Sequence, residues 1–275
     1  MVATVAEVYT TMNQRLLIVL VLGWCLLTAA ATGQAVAKDE VESKTMSTTK
    51  PTQGSASPEL TNTVQDIISR TNSFRQAEGL REVESSPQLM EAARDFAQFM
   101  ASTDKYGHAA DGRHPADRAK QHGYDYCIIA ENIAYQHRTS GFTSEELARE
   151  FFQGWKESPD HRKNMLNSAV TETGVAVAQS EKTGYYYAVQ MFGRPQTETI
   201  EFQVTNRTDT LIPYAIEDQT LSLPPRATRT HQQCRLLEIT FQWPGKQERT
   251  TVQPQPGDHY TTVQDDAGAF RLQKD

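Results

Sequence analysis

The sequence lacks an excess of basic residues. Its 27 Lys and Arg stand against 34 Asp and Glu, which gives a formal charge of −7 and a pI near 5.6. Proteins that bind the nucleic-acid backbone need clustered positive charge, so this composition argues against a nucleic-acid partner. Charged residues make up 22% of the 275 residues, as in folded proteins, and this length allows one large or two modest domains.

Cysteine is also scarce, with three residues in the chain. Cys25 lies in the apolar N-terminal stretch, which leaves Cys127 and Cys234 for any folded body. If the chain is exported, these two can form a disulfide between domains. The alternative is a pair of buried free thiols, and the strong tendency of cysteine to be buried favours this second interpretation.

A long membrane-spanning run is missing as well. The apolar stretch from Leu16 to Ala31 falls short of the roughly 20 residues that a spanning helix needs. Arg15 precedes this stretch, and Ala35-Val36-Ala37 follows it, as at the cleavage site of a secretory signal peptide. We therefore predict a signal peptide over residues 1–37, with a membrane anchor as the alternative. The mature chain is expected in the extracellular space or cell envelope, without stable membrane insertion.

Residues 38–58 are rich in Thr, Ser, Lys and Glu and have almost no large apolar side chain. Such a segment cannot bury enough surface to order itself, so it is predicted to be a flexible linker.

Residues 59–195 show helical periodicity first and strand patterns later. Apolar side chains from Leu60 to Phe74 form a helical stripe, and Ser86-Pro87 is typical of the start of a second helix. Thr143 and Glu146 form a capping-box pair for a helix that includes Trp155. Residues 174–179 and 185–192 are predicted to be strands.

Residues 196–275 have short alternating stretches, such as Ile200-Phe202-Val204, separated by turns rich in Pro and Gly. This pattern predicts a second, small all-β domain that begins near Arg194 to Glu198.

Three side chains in the first domain suit a shared polar site: His108, Glu131 and His161. Imidazole and carboxylate groups can share a proton or bind a metal near neutral pH. Their long separations in the sequence do not indicate by themselves that they meet. The alternative is a satisfied polar network in which Glu131 accepts backbone hydrogen bonds.

Three segments carry a family resemblance: G-H at 107–108, A-E-N-I at 130–133 and S-P-D-H-R-K-N-M-L at 158–166. Together they resemble the bacterial branch of the CAP superfamily, also called SCP. The resemblance covers about Leu60 to Gly193. It implies an α+β fold, a three-layer α-β-α sandwich over 59–195, followed here by the all-β domain.

The resemblance also implies a cleft with two histidines and two glutamates. The motifs assign the first three to His108, Glu131 and His161. The second glutamate of the family would fall at Ser158, and the nearest candidate is Glu157, one residue earlier. One residue is a rotation of about 100° on a helix. His108 and His161 are the candidate ligands for a metal, and zinc is the candidate cofactor.

The sequence does not decide whether the protein is an enzyme. It contains no G-x-S-x-G elbow, and Cys127 has no recognisable catalytic partner. Three functions stay open. The first is an extracellular module that binds an unidentified ligand or protein through the His/Glu cleft. The second is a metal-assisted hydrolase using that cleft, and the third is a structural protein of the cell envelope.

Overall fold

A computed structural model describes residues 5–10, 44–45 and 57–275. Apart from two short strands and residues 57–58, the predicted signal peptide (1–37) and linker (38–58) lie outside the described residues. In the part of the chain that is described, no helix combines the length and hydrophobicity needed to cross a bilayer.

The first domain mixes helices and strands. Its strands are β1 (Val5–Thr10), β2 (Lys44–Thr45), β3 (Glu84–Ser85), β4 (Lys105–Tyr106), β5 (Tyr126–Gln136), β6 (Glu172–Gln179) and β7 (Tyr186–Pro195). Its helices are α1 (Leu60–Ala77), α2 (Pro87–Thr103), α3 (Pro115–Gln121), α4 (Ser144–Glu157) and α5 (Pro159–Met165). A five-stranded sheet has the order β1-β5-β7-β6-β3, and β2 pairs separately with β4.

Helices cover both faces of this sheet. Ala130 and Ala134 of β5 pack in one cluster with residues of α1, α4 and α5. Ile129 and Ile133 pack in a second cluster with residues of α2 and α3. Successive side chains of a strand point to opposite faces, so one strand supplies both clusters. The predicted three-layer α-β-α sandwich is confirmed.

Local sequence explains where α4 begins and how it is anchored. The Thr143 hydroxyl accepts a hydrogen bond from the Glu146 amide, and the Glu146 carboxylate accepts one from the Thr143 amide. This is the predicted capping box. Trp155 is fully buried, as its spacing with Leu147 and Phe151 indicates.

One close approach of α2 to the sheet depends on a glycine. A Cβ atom at Gly174 of β6 would lie 2.2 Å from the backbone carbon of Leu89 in α2. No side chain fits at that distance, because the obstacle is backbone and cannot rotate away.

The second domain is a sandwich of two four-stranded sheets. Its strands are β8 (Ile200–Asn206), β9 (Ile212–Ile216), β10 (Gln219–Leu223), β11 (Thr228–Gln233), β12 (Ile239–Gln242), β13 (Arg249–Val252), β14 (His259–Gln264) and β15 (Phe270–Lys274). The sheet orders are β10-β9-β12-β13 and β11-β8-β14-β15. Ile200, Phe202 and Val204 alternate inward from β8 into one apolar core, which confirms the predicted all-β domain.

A disulfide between Cys127 and Cys234 joins the two domains, with a Cα–Cα distance of 5.5 Å. The sequence-based preference for free thiols was therefore wrong. The β5–β7 register shifts between Tyr126 and Ile128, which marks Cys127 as the irregular position of β5. An irregularity of this kind turns a side chain away from the regular alternation. Because the cysteines are 107 positions apart in the sequence, their meeting depends on domain packing that sequence spacing does not reveal.

Candidate functional site

Glu131 is the centre of the candidate site. It lies in the middle of β5 on the same face as Ile129 and Ile133, and it is 0% exposed. Its Oε1 lies 2.7 Å from His108 Nδ1. Arg118 Nη2 donates to both carboxylate oxygens, at 2.9 Å to Oε1 and 2.7 Å to Oε2. The carboxylate is therefore held by two partners from the α2/α3 side of the sheet.

The turn after α2 positions His108. Asp104 ends α2 with a left-handed backbone at φ 53°, and Gly107 has φ 141°. These residues reverse the chain through β4 and bring His108 under the sheet. The residue is 5% exposed, so it is buried almost completely.

Arg118 of α3 is a buried cation that serves two carboxylates. Besides Glu131, it donates from Nη1 to Asp111 Oδ1 at 2.9 Å. It also donates to the carbonyl oxygens of His108 and Arg113, at 2.9 and 2.8 Å. Its guanidinium carbon lies 3.6 Å from the centre of the Phe96 ring. Hydrogen bonds between charged groups are stronger than those between neutral groups, and the ring contact adds a cation–π interaction.

The electrostatic balance keeps Glu131 ionised. Burial by itself would raise the pKa of its carboxyl group, but Arg118 and the hydrogen bond from His108 outweigh burial, and the pKa lies below its ordinary value. A buried carboxylate without such partners would instead tend to take up a proton.

His161 is buried on α5 and is tied to β5 through two asparagines. Its carbonyl oxygen accepts a hydrogen bond from Asn132 Nδ2 at 3.2 Å. Asn164 Nδ2 donates to Asn132 Oδ1 at 2.9 Å and to the Glu131 carbonyl oxygen at 3.2 Å. Both asparagines thus donate to backbone carbonyl groups. His161 and Glu131 are thus linked through the backbone of one strand.

Side chains from both faces of the sheet also donate to the carbonyl group of Ile133, two residues after Glu131 in β5. The Ile133 oxygen accepts from Trp155 Nε1 at 3.2 Å and from the Tyr106 hydroxyl at 3.1 Å. Trp155 belongs to the α1/α4/α5 layer and Tyr106 to the α2/α3 layer. The two helical layers therefore meet along β5 beside Glu131.

The predicted candidate Glu157 and Arg162, the residue after His161, both lie away from Glu131. Glu157 is exposed and accepts a hydrogen bond from Gln153 Nε2 at 2.6 Å. Arg162 pairs with Glu78 at 2.8 Å and lies over the Phe74 ring. These contacts bring neither residue to Glu131, as the one-residue offset of Glu157 suggests.

The donor set around Glu131 fits a cation poorly. Both carboxylate oxygens already accept from Arg118, and His108 Nδ1 is engaged with one of them. Within residues 57–275 no group of three or more His, Cys, Asp and Glu side chains is placed to hold a metal ion. Zinc ligation by His108 and His161, and convergence of all three predicted side chains, stay predictions.

Sequence reasoning identified His108 and Glu131 but did not pair Arg118 with Glu131 or include Asp111. The polar run from Ala109 to Arg118 contains both residues. Its charges follow no helical or strand period, so nothing local indicates that they turn inward. The one local signal is the helix that begins at Pro115, because Arg118 lies three residues into this helix.

Comparison with known proteins identifies relatives of the first domain. The model of the cysteine-rich secretory protein family, CAP, matches residues 68–192. YkwD, an uncharacterized protein of Bacillus subtilis, is 29% identical over 166 residues. The match covers 59% of this chain and 60% of YkwD, so the chain spans less than two thirds of that relative.

Three solved structures are similar over about half of the chain. An extracellular SCP-domain protein of Bacillus anthracis is 27% identical, with a TM-score of 0.40 and coverage of 49% of this chain and 41% of its own. An outer surface protein of Borrelia burgdorferi is 18% identical, with a TM-score of 0.42 and coverage of 49% and 93%. A cysteine-rich secretory protein of Staphylococcus aureus is 20% identical, with a TM-score of 0.36 and coverage of 50% and 40%.

The matched range contains the G-H, A-E-N-I and S-P-D-H-R-K-N-M-L segments and the network that joins them. Residues 68–192 therefore form a domain of the CAP superfamily.

Proposed function

We propose that this protein is an exported binding module that engages an extracellular ligand or protein through the cleft beside His108 and Glu131. The observation that carries the proposal is the buried ion pair between Arg118 and Glu131. It favours a fixed support beneath a binding cleft over a reactive group.

The ion pair bears on the alternative of a metal-assisted hydrolase. A general base or a metal ligand must offer a lone pair to water or to the metal. Glu131 directs both oxygens at Arg118, and the guanidinium charge would repel a divalent cation placed at the same oxygens. If Glu131 turned away to bind a metal or water, the buried Arg118 would lose one of its two carboxylate partners, which is unfavourable.

Two features support export. The leader pattern over residues 1–37 is one of them. The disulfide between Cys127 and Cys234 is the other, since disulfides persist in oxidising compartments and are rare in the cytosol. Mass spectrometry of the exported protein should give an N-terminus near Lys38, and an intact N-terminus in the membrane fraction would contradict export with cleavage.

Calorimetric titration of the protein with zinc chloride near neutral pH distinguishes a binding module from a metal-assisted hydrolase. The proposal expects no one-to-one zinc binding to the wild-type protein and no difference between wild type and His108→Ala. Stoichiometric zinc binding that is lost in both His108→Ala and His161→Ala would overturn the proposal and favour the hydrolase. Glu157→Gln is the control, because Glu157 is exposed and bonded to Gln153.

A further inference from the structure

We propose that the β sandwich carries a second site, in which Thr205, His259 and Asp275 act as nucleophile, base and orienting carboxylate in the hydrolysis of small acyl esters. The site goes beyond the proposed binding function, because it lies in the second domain, on residues that the cleft of the first domain does not use.

The three side chains are joined in the order that nucleophilic catalysis by a hydroxyl group requires. Thr205 Oγ1 lies 2.7 Å from His259 Nε2, so the imidazole is within reach of the hydroxyl proton. On the other side of the ring, His259 Nδ1 lies 3.3 Å from Asp275 Oδ2. A carboxylate at that nitrogen holds the imidazole in the tautomer whose Nε2 accepts a proton.

The strands hold this arrangement on the outer face of the sheet β11-β8-β14-β15. Val204 is 0% exposed in the core, so its neighbour Thr205 points outward. The Asp275 amide donates to the His259 carbonyl oxygen at 2.9 Å, and the Thr261 hydroxyl donates to Asp275 Oδ2 at 3.1 Å. The orienting carboxylate is therefore fixed both through its backbone and through its side chain.

The surroundings of Thr205 supply a place for a substrate. Thr228 Oγ1 lies 2.8 Å from Thr205 Oγ1, so its hydroxyl can donate to the oxyanion that forms when Thr205 attacks a carbonyl group. A cavity of about 260 Å³ lies beside His259 and Gln203. Pockets for drug-sized ligands are larger than this, so we expect a small substrate.

The charges of the cavity restrict the class of substrate. Glu201 and Asp258 both line it. Asp258 pairs with Lys274 at 2.7 Å, whereas Glu201 accepts from the neutral amide of Gln232 at 2.9 Å. The charge of Glu201 would repel an anionic substrate. The site therefore suits the ester of a small acyl group with a neutral or cationic alcohol.

The reaction has two steps and consumes water. Thr205 Oγ1 attacks the ester carbonyl carbon and gives its proton to His259 Nε2, and the alcohol then leaves with that proton as its bond to the acyl group breaks. Water next attacks the acyl group on Thr205 and gives a proton to His259. This proton returns to Oγ1 as the acyl–oxygen bond breaks and the carboxylic acid leaves. The Asp275 carboxylate stabilises the imidazolium in both steps.

Turnover of 4-nitrophenyl acetate by the full chain, together with labelling by an uncharged alkyl fluorophosphonate, tests the proposal. Peptide mass spectrometry should find the phosphonyl group on Thr205 of the wild-type protein. Thr205→Val keeps the shape of the side chain but removes the hydroxyl, so labelling and turnover should be lost, and Thr205→Ser should restore both. Asp275→Asn should lower the rate at least about tenfold, because the imidazole loses its orienting charge.

Thr240→Val is the matched control. The Thr240 hydroxyl also bonds to a threonine, Thr251, at 3.0 Å, but it lies in the other sheet, so labelling and turnover should equal those of wild type. Wild-type turnover in Thr205→Val would show that an imidazole alone attacks the ester, and this result, or the absence of label on Thr205, would overturn the proposal.

A second ester tests the assigned substrate class. The wild-type protein should hydrolyse neutral 4-nitrophenyl acetate faster than the anionic ester 4-acetoxybenzenesulfonate, and Glu201→Gln should reduce the ratio of the two rates. An unchanged ratio in this variant would contradict the preference for neutral or cationic alcohols.

Discussion

Arg118 shows how one side chain organises the site at the scale of single residues. It is 1% exposed and satisfies Glu131 and Asp111 together. A buried pair of this kind contributes less than its geometry suggests, because desolvation offsets attraction. Loss of one partner is different, because it leaves an uncompensated charge inside the protein.

Replacing Arg118 with Ala should lower the free energy of unfolding by about 3–5 kcal/mol, because the buried Glu131 carboxylate loses its cation, whereas Asp111 keeps its pair with Arg113. Adding Glu131→Gln to that variant should restore part of the loss. Urea unfolding of the two single variants and the double variant measures the coupling. Arg162→Ala is the control: its pair with Glu78 is exposed, and a change of about 0–1 kcal/mol is expected. Equal losses for both arginines would contradict this account.

The burial of His231 predicts that the stability of the β sandwich decreases in acid. Its ring stacks on Phe202 and bonds to the Tyr214 hydroxyl, and burial followed by the nearby Arg229 lowers the imidazole pKa to about 4. The unfolded state, with a value near 6.5, therefore binds more protons between these pH values. Stability should fall as pH decreases from 6.5 to 4 and then level off.

His231→Phe should flatten this dependence, because it keeps the stacked ring and removes the titrating group. Urea midpoints at pH 7.5 and pH 4.5 give the comparison. Equal pH dependence in the variant and the wild-type protein would show that another group is responsible.

At the scale of elements, the contact between α2 and β6 sets the distance between a helical layer and the sheet. Gly174 allows the backbone of Leu89 to approach the strand. Packed interiors do not stretch to admit an extra atom without strain.

Gly174→Ala should therefore prevent normal folding or cost at least about 3 kcal/mol, since overpacking against backbone cannot relax by rotation. Gly193→Ala on the neighbouring strand β7 is the matched control. Its new Cβ meets the Tyr124 side chain, which can move, so a smaller loss is expected. Thermal unfolding by circular dichroism ranks the two variants, and a milder effect at Gly174 would refute the argument.

Periodicity and capping residues predicted α1, α2 and α4 because their signals are local. The resemblance placed His108 and Glu131 in one cleft, and the structure puts them in contact. The position of Arg118 was not predictable, because its partners come from a loop and a distant strand. Arg75 is similar: it is buried at the end of α1 and donates to the carbonyl groups of Met165 and Asn167.

On the scale of the whole molecule, the two domains are joined by the short 3₁₀ turn Gln196–Glu198 and by the disulfide. The disulfide attaches the β sandwich to β5, the strand that carries Glu131. The second domain is thereby coupled to the strand on which the candidate site is built. That the two domains fold independently, with a boundary near Arg194 to Glu198, stays a prediction.

Removing the disulfide with Cys127→Ala and Cys234→Ala should destabilise the protein by about 4–5 kcal/mol, the value for a closed loop of about 100 residues. Two separate unfolding transitions should then replace one. Differential scanning calorimetry checks both effects. A single transition of unchanged midpoint would mean that noncovalent contacts alone hold the domains together.

The same bridge makes a covalent ring of the chain from Cys127 to Cys234, closed across the domain junction. A protease that cuts once at the junction opens the ring but releases no fragment until a reductant acts. Extracellular nicking would thus leave the β sandwich attached to β5 as a two-chain molecule. The protein can lose its peptide linker and still keep both halves at one place.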